Sequence, residues 1–428
     1  MKKYIDIIYL IKITKNGEMF KFLILRSKKF ILIIILILLF FSTKSKFRLN
    51  SFINKLNKYS IFRQPKYILL FDYIYSPVCE DLNSYSIFQY YQNNNNSDAY
   101  YILNEQTELY KSLYKQNKTT NIIPFKNSND IRKMFDYFLH SKIIIQSYAL
   151  YTFQIIASQV KYLKFLYVCH AVNYFKTIII KEQLLKLKDE KKNLIVTSPY
   201  EYNLYKKLNL YKEKSMHIAG LARYGRFKYL KSNHSEKKCI LLSFTYRSYN
   251  NSIYEKSLYK RNINKLLTDK SLQLSLEQND IDLIFIQHHY DVLMKRQINK
   301  IIFPHLKFFE QKYLAYYIEK CSLLITDFSS ISFDFMFQNK PVLFYYLDIN
   351  DTTNFSEKEY MRIDYSNNIY YNNIFLDQKS LVNSIISYIN RKFVLEKGLA
   401  RKYTTLFYYK NNITQKIVKI INNIIDNI

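Results

Sequence analysis

The sequence predicts an α/β protein built from two parallel, doubly wound units. Three observations predict it: short continuous apolar runs, amphipathic stretches between them, and a restart of this pattern near Lys237. Strands that are buried on both faces of a parallel sheet have continuous apolar runs, and the stretches between them have the spacing of surface helices. With 428 residues, of which 49% are hydrophobic, the chain has room for two domains with a core each.

The first series of runs predicts a domain over residues 65–221. Its buried strands are predicted at Tyr67–Phe71, Tyr100–Leu103, Asn121–Ile123, Lys142–Gln146, Lys164–Cys169 and Leu194–Thr197. Its helices are predicted at Ser84–Gln92, Glu105–Lys115, Asp130–His140 and Tyr200–Leu208. Such an alternation of strands and helices is typical of a parallel sheet with helices on both faces.

The second series predicts a domain over residues 237–390, after a linker at Ala222–Glu236. Its strands are predicted at Cys239–Ser243, Leu283–Gln287, Leu323–Thr326 and Val342–Tyr345, and its helices include Gln311–Lys320, Ser330–Gln338 and Lys379–Ile389. Residues 391–428 are predicted to form terminal helices that pack back on the domains. Because ligands of such sheets bind at the carboxyl ends of the strands, we expect a site in the cleft between the two units.

The first 48 residues are predicted to associate with a membrane. Phe30–Phe41 is an unbroken apolar run of 12 residues with Lys and Arg on both sides. As a helix it would rise about 18 Å, short of the roughly 30 Å hydrocarbon core. A short or interfacial anchor, a signal peptide and a buried core helix remain open, although Ser42-Thr43-Lys44 is a poor cleavage site. The basic flanks favour an anchor at the cytoplasmic face of the cell membrane.

The charge balance favours polyanionic partners. The chain has 64 Lys and Arg against 34 Asp and Glu, a formal charge of +30. Anionic lipid, nucleic acid or a phosphate-rich substrate would suit this charge, and a general drift of composition toward Lys would also produce it. Most Tyr and Phe residues lie in apolar runs instead of alternating with clustered Lys and Arg, so we expect no nucleic-acid partner. The four cysteines are far apart, so we expect neither a metal site nor a disulfide framework, and no cofactor.

The segment Leu323–Asp348, LLITDFSSISFDFMFQNKPVLFYYLD, has the most informative pattern. Its first strand ends at Thr326, and Asp327 and two serines follow before the next predicted helix. Serine is a favoured N-cap, and the free N–H groups at a helix start can bind phosphate. Asp334 lies one turn into that helix, on the same face as Ser330. The residues alone are compatible with an anion site and with an ordinary strand–cap–helix unit.

The same segment resembles the signature T-D-(Y/F)-S-S-x-x-F-D-x-x-x-x-x-K-P-(I/V)-x-F-Y-x-x-D of the CDP-glycerol glycerophosphotransferase family, whose members build teichoic-acid-type polymers. The matching residues are Thr326, Asp327, Phe328, Ser329, Ser330, Phe333, Asp334, Lys340, Pro341, Phe344, Tyr345 and Asp348. Looser similarities to other family motifs occur, in the same order along the chain, at Val168–Val172 with Lys176, Gly220–Gly225, Ser243–Arg247 and Gln287–His289. The resemblance spans about residues 65–390.

The resemblance implies a GT-B-type pair of Rossmann-like domains, the first on the acceptor side and the second on the nucleotide-donor side. It implies a transferase in which an acceptor hydroxyl attacks the β-phosphorus of a CDP-activated polyol and CMP leaves. The acceptor would be a cell-surface polymer or a lipid-linked molecule at an anionic membrane surface. A sugar transferase of the same architecture in capsule or lipopolysaccharide assembly is the alternative. An inactive scaffold relative is another, because Ala171 and Asn173 replace the family's Gly and Pro after His170.

The resemblance implies two catalytic histidines. His170 is the candidate general base, and the ordinary histidine pKa near 6.5 suits that task. His288 would donate a hydrogen bond to the phosphate that is transferred.

Six further residues are implied to bind the substrate: Arg223, Arg247, Asp327, Ser329, Ser330 and Asp334. The Arg247 guanidinium would fork onto phosphate oxygens, and the two serines would hold a phosphate by hydroxyl and backbone N–H groups. Asp334 would accept hydrogen bonds from ribose hydroxyls, whereas Asp327 would contact substrate or orient its own loop.

Overall fold

The structure is a computed structural model. It describes residues 65–72, 82–126, 137–138, 140–147, 163–169, 172, 192–209, 211–227, 238–247, 251–288, 301, 303–349 and 373–427. These residues form two parallel sheets with helices between the strands, so the predicted α/β class is confirmed. The predicted anchor over residues 1–48, the general-base candidate His170 and most of the predicted helix Asp130–His140 lie outside the described residues.

The first sheet has seven strands among the described residues, all in parallel pairs. They are β1 (Tyr67–Phe71), β2 (Ala99–Asn104), β3 (Ile122–Phe125), β4 (Ser141–Gln146), β5 (Lys164–Tyr167), β6 (Lys192–Val196) and β7 (Met216–Ile218). Their order across the sheet is β3-β2-β1-β4-β5-β6-β7, which is the layout of doubly wound folds. The short edge strand β7 was not predicted, because only its first residue is buried.

The second sheet has six strands in the described part of the chain, again all parallel. They are β8 (Cys239–Leu242), β9 (Asp282–Ile286), β10 (Leu306–Phe309), β11 (Leu323–Thr326), β12 (Val342–Tyr345) and β13 (Ile374–Phe375). Their order is β10-β9-β8-β11-β12-β13, which repeats the layout of the first sheet. The unpredicted strands β10 and β13 form the two edges, where side chains are half exposed and the apolar run is lost.

Helices cover the connections between these strands. In the first unit they are α1 (Asn83–Asn93), α2 (Glu108–Lys115) and α3 (Pro199–Lys207). Those further along the chain are α4 (Asn251–Lys256), α5 (Leu258–Leu267), α6 (Lys270–Gln278), α7 (Leu314–Lys320), α8 (Ile331–Phe337), α9 (Gln378–Asn390), α10 (Lys397–Leu406) and α11 (Ile413–Asp426).

Capping side chains set where several of these helices begin. Thr107 accepts a hydrogen bond from the Tyr110 N–H at 3.1 Å, so α2 begins at Glu108 and not at the predicted Glu105. Ser198 accepts from the Glu201 N–H at 3.2 Å and precedes a proline at the first helical position. Asp377 caps α9 in the same way.

The stretch predicted as a linker begins with a packed turn. Ala222–Arg226 is a 3-10 helix, and the buried Tyr224 ring stacks on Phe337 at a centroid distance of 4.2 Å. The C-terminal helix α11 contacts both this turn and α1, while α10 contacts α8. Gly220 has a φ of +114°, and a side chain there would meet Ile413 of α11 at 3.3 Å. The turn therefore belongs to a shared core between the two sheets.

In the described part of the chain, no helix combines the length and hydropathy needed to cross a bilayer.

Candidate functional site

Most of the predicted site residues lie at one edge of the second sheet. The strand order reverses between β8 and β11, so a crevice is expected where these two strands end. The segments that leave the carboxyl ends of β8, β9, β11 and β12 begin at Ser243, Gln287, Asp327 and Tyr346. The fold thus brings the Asp327 segment, Arg247 and His288 to the same edge.

Arg247 is buried at the centre of this edge, with 2% of its surface exposed. Its Nε and Nη2 donate to the two Asp348 carboxylate oxygens at 2.8 and 2.9 Å. Its Nη2 also lies 2.9 Å from Asp327 Oδ2, and its Nη1 donates to the Thr245 carbonyl at 2.8 Å. The guanidinium expected to fork onto phosphate forks onto Asp348 here.

Asp327 joins the loops that follow β8 and β11. Its carboxylate accepts from the Thr245 N–H at 3.0 and 3.1 Å and from the Thr245 hydroxyl at 2.8 Å. It is fully buried and shares the charge of Arg247 with Asp348. The carboxylates of Asp327 and Asp348 and the guanidinium of Arg247 therefore hold together the loops that follow β11, β12 and β8. Asp327 is placed to orient these loops.

Ser329 and Ser330 precede the short helix α8 and are both half-buried. Their carbonyls accept the N–H groups of Ser332 and Phe333 at 3.2 and 3.1 Å. Ser330 adopts a helical backbone conformation, and its side chain caps no backbone N–H. The prediction that Ser330 is a side-chain N-cap is therefore wrong, because the turn has already begun at that residue.

Arg223 and Asp334, both predicted to bind substrate, bind each other. The Arg223 Nε donates to Asp334 Oδ1 at 3.0 Å, and Nη2 donates to Oδ1 and Oδ2 at 2.9 and 3.1 Å. The exposed fractions are 7% for Arg223 and 2% for Asp334. Both oxygens expected to accept from ribose hydroxyls thus accept from the guanidinium of Arg223, in the turn that follows the first sheet.

Asn83, at the start of α1, was not predicted from the sequence but contacts Arg223 and Cys169. Its Oδ1 accepts from the Arg223 backbone N–H at 3.0 Å, and its Nδ2 donates to the Cys169 carbonyl at 3.0 Å. The Asn83 side chain is fully buried. Cys169 has a φ of +42°, a conformation uncommon outside glycine and asparagine, and directly precedes His170 in the sequence.

His288 follows β9 and lies beside the segment that follows β8. Its half-buried ring stacks on Tyr246 at a centroid distance of 5.4 Å with an interplanar angle of 27°. The Tyr246 ring thereby fixes the orientation of the imidazole next to Thr245 and Arg247.

The carboxyl edge of the first sheet is also polar. The Asp72 carboxylate accepts from the Ser84 and Tyr85 N–H groups at 3.0 and 3.1 Å and so caps α1. The Gln146 amide and the Ser147 hydroxyl are fully buried, and neither has a hydrogen-bond partner among the residues that the structure describes. Because unpaired buried polar groups cost free energy, they are typical of positions that accept a polar ligand or water.

Lys340, a residue of the signature segment, binds backbone carbonyl groups of the protein. Its Nζ donates to the Ile318 carbonyl at 2.9 Å and to the Glu319 carbonyl, at the end of α7. Burial lowers the pKa of Lys340 to about 8, and the Cys321 and Cys239 thiols nearby oppose this shift. Among the residues that the structure describes, no group of three His, Cys, Asp or Glu side chains could hold a metal ion.

Comparison with known sequences identifies a family and a curated relative. A sequence model of the family described as CDP-Glycerol:Poly(glycerophosphate) glycerophosphotransferase matches residues 62–423. The Minor teichoic acid biosynthesis protein GgaB of Bacillus subtilis (strain 168) is 22% identical over 372 residues, which cover 80% of this chain and 39% of that protein. The chain thus spans about two fifths of the length of this curated relative.

Solved structures share the fold. The wall teichoic acid polymerase TagF has a TM-score of 0.59 at 12% identity, covering 88% of this chain and 94% of that chain. The S. aureus MnaA-UDP co-structure has a TM-score of 0.52 at 12% identity, covering 85% and 98%. These likenesses support the arrangement of two parallel sheets. Because the family match extends over most of the sequence and includes the whole segment from Leu323 to Asp348, the chain belongs to the CDP-glycerol:poly(glycerophosphate) glycerophosphotransferase family.

Proposed function

We propose that the chain transfers a polyol phosphate, with glycerol phosphate as the first candidate, from a CDP-activated donor to a hydroxyl of a cell-surface polymer or lipid-linked acceptor. The observation that carries this proposal is the family match over residues 62–423, with its signature segment at the switch point of the second sheet. GgaB, by its name a teichoic acid biosynthesis protein, and a TagF structure soaked with CDPG support the same class of reaction.

The reaction needs an acceptor hydroxyl, a base and a leaving nucleotide. The hydroxyl oxygen forms a bond to the β-phosphorus, and the bond from that phosphorus to the bridging oxygen breaks. CMP leaves with the bonding pair, and the hydroxyl proton passes to the base. We assign the base to His170, which follows Cys169 beyond the end of β5 in the sequence. His288 donates to the transferred phosphate, where negative charge must be stabilised.

The donor binds at the second sheet in this proposal. Ser329 and Ser330, half-buried beside the switch point, contact its phosphates. Arg247, Asp327 and Asp334 act mainly by positioning these loops, since their charged groups are buried and paired with protein groups. Arg223 contributes in the same way, through the ion pair with Asp334.

The acceptor binds at the first sheet. The Gln146 amide and Ser147 hydroxyl at its carboxyl edge, which have no partner within the described part of the chain, support this placement, because amide and hydroxyl groups suit the hydroxyls of a polyol chain. Residues 1–48 and the formal charge of +30 support peripheral association of the protein with an anionic membrane surface.

A donor panel tests this function. The purified chain is incubated with radiolabelled CDP-glycerol, CDP-ribitol and a set of UDP-sugars, together with a membrane fraction as acceptor source, and CMP and UDP release are scored. We expect CMP release with transfer of label from a CDP-polyol. Release of UDP alone would favour the sugar transferase, and release of neither nucleotide would favour the inactive scaffold.

A further inference from the structure

A chain of buried contacts joins the segment after β5 of the first sheet to helix α8 beside the second sheet. It begins at the Cys169 carbonyl, passes through both ends of the Asn83 amide to the Arg223 backbone, and continues through the Arg223 guanidinium to Asp334. Cys169 lies beyond the end of β5 in the first sheet, and Asp334 lies on α8 beside the second sheet. Every polar contact in it is between 2.9 and 3.1 Å long.

Asn83 is the member of this chain whose side chain links the first unit to the Arg223 turn. The first N–H groups of α1 are capped by Asp72, so the Asn83 side chain is not needed to begin its own helix. Instead it contacts Cys169 and Arg223, which are separated from it by 86 and 140 positions in the sequence. A primary amide places an NH₂ donor group and a carbonyl acceptor on separate atoms in a fixed geometry, which neither a carboxylate nor a hydroxyl side chain reproduces.

We propose that Asn83 is a positioning residue for the transfer reaction, which holds the end of the β5 segment in register with the Arg223–Asp334 pair. The carbonyl that it binds is that of Cys169, the residue that directly precedes the candidate base His170 in the sequence. This inference rests on the proposed function, since it gives Asn83 a task in catalysis only if His170 is the base. Small errors in the position of a reacting group can cost on the order of 10²-fold in rate.

Two substitutions of Asn83 and one control variant test the two hydrogen bonds of its side chain. Asn83→Ala removes both hydrogen bonds. Asn83→Asp keeps an acceptor for the Arg223 N–H but loses the donor to the Cys169 carbonyl. The control, Ser141→Ala, removes a partly buried hydrogen bond, from the Ser141 hydroxyl to the Tyr137 carbonyl at 2.6 Å, at the opposite edge of the first sheet.

The readouts are the maximal rate of CMP release, the donor Kd by calorimetry, the pH–rate profile and the thermal midpoint. We expect Asn83→Ala and Asn83→Asp to lower kcat by about 10- to 100-fold with the donor Kd changed less than about 3-fold. The acid limb of the pH–rate profile should move, because the environment of the base changes. When Asn83→Ala is combined with Asp334→Asn, the fold-loss of kcat should be smaller than the product of the two single losses. The reason is that both residues act through the same series of contacts.

The outcomes distinguish this inference from the proposed function. If His170→Ala is inactive but the Asn83 variants match Ser141→Ala in rate and pH profile, the positioning role is refuted and the function stands. If His170→Ala turns over normally, the assigned base is refuted whatever Asn83 does. If Asn83→Ala does not fold, Asn83→Asp decides: a wild-type kcat and pH profile for that variant overturns the inference.

Discussion

The Arg223 guanidinium and the Asp334 carboxylate form a bidentate ion pair that joins the turn after the first sheet to helix α8 beside the second sheet. Only 9% and 3% of the two side chains are exposed. Both charges lose their hydration when such an ion pair is buried. Removing one member therefore destabilises the protein more than removing both, because it leaves a buried charge unpaired.

Asp334→Asn is expected to destabilise the protein by about 3–5 kcal/mol, because it leaves the buried Arg223 charge without a counter-charge. The double variant Arg223→Met with Asp334→Leu should recover most of this loss, since no unpaired charge remains. Denaturant unfolding of the two variants measures the difference. Equal destabilisation in both variants would contradict the buried-pair account.

Arg247→Lys is expected to destabilise the protein by about 1–3 kcal/mol, because a single ammonium cannot reproduce the fork onto Asp348 together with the contact to Asp327. Donor affinity should fall with it, since the loops after β8, β11 and β12 lose their common partner. Unfolding and donor calorimetry of the same sample measure both effects. A large loss of donor affinity without any loss of stability would instead support direct contact between Arg247 and phosphate.

The lowered pKa of Lys340 predicts that the stability of the folded protein increases with pH. Its pKa in the folded protein is about 8, below the ordinary value of 10.5, because burial disfavours the charged form. Between these two pH values the unfolded chain binds more protons than the folded one, so this group makes the folded state more stable as pH rises. The contribution is at most about 1.4 kcal/mol per pH unit.

Lys340→Met is the matched variant for that measurement. The free energy of unfolding of the wild type, minus that of Lys340→Met, should increase from about pH 8 to pH 10.5 and be flat below pH 8. The comparison keeps Cys239 and Cys321, whose sulfur atoms lie 2.9 Å apart, in both proteins. A difference that is constant over the whole window would show that Lys340 does not titrate as stated.

The continuous apolar runs made much of the fold predictable from sequence. Tyr67–Phe71, Leu323–Thr326 and Val342–Tyr345 were predicted to the residue, because strands buried on both faces admit no polar interruption. Three of the four edge strands, β7, β10 and β13, were not predicted, because a half-exposed strand of two to four residues has no such run. No predicted element covers Asn251–Gln278, which forms three helices. The buried residues Tyr259, Ile263, Leu266 and Leu267 do have helical spacing on α5, and this signal was overlooked.

The site was predictable where its residues are contiguous and not where they are assembled from distant segments. The Asp327 segment carries its own signature, so its place at a strand end followed from the sequence. That Arg247 is held by Asp348, and Arg223 by Asp334, depends on contacts 101 and 111 residues apart. Asn83 has no sequence signal, because an asparagine in an Asn-rich chain is inconspicuous until its two partners are known.

Residues 1–48 are expected to hold the protein at the membrane. Deleting them should move the protein from the membrane fraction to the supernatant while CMP release is retained, since the family match begins at residue 62. Fractionation at low and high salt, with the intact chain in parallel, measures this. A truncated protein that stays with the membrane in high salt would contradict the anchor, and one that cannot fold would place Phe30–Phe41 in the core.

The most direct test is CMP release from CDP-glycerol by the wild type and by His170→Ala, with donor affinity measured on the same samples. We expect the wild type to transfer labelled glycerol phosphate to the acceptor. We expect His170→Ala to be slower by about 10²- to 10⁴-fold with the donor Kd almost unchanged, because a base acts on the acceptor hydroxyl and not on the nucleotide. Normal CMP release by His170→Ala would refute His170 as the base.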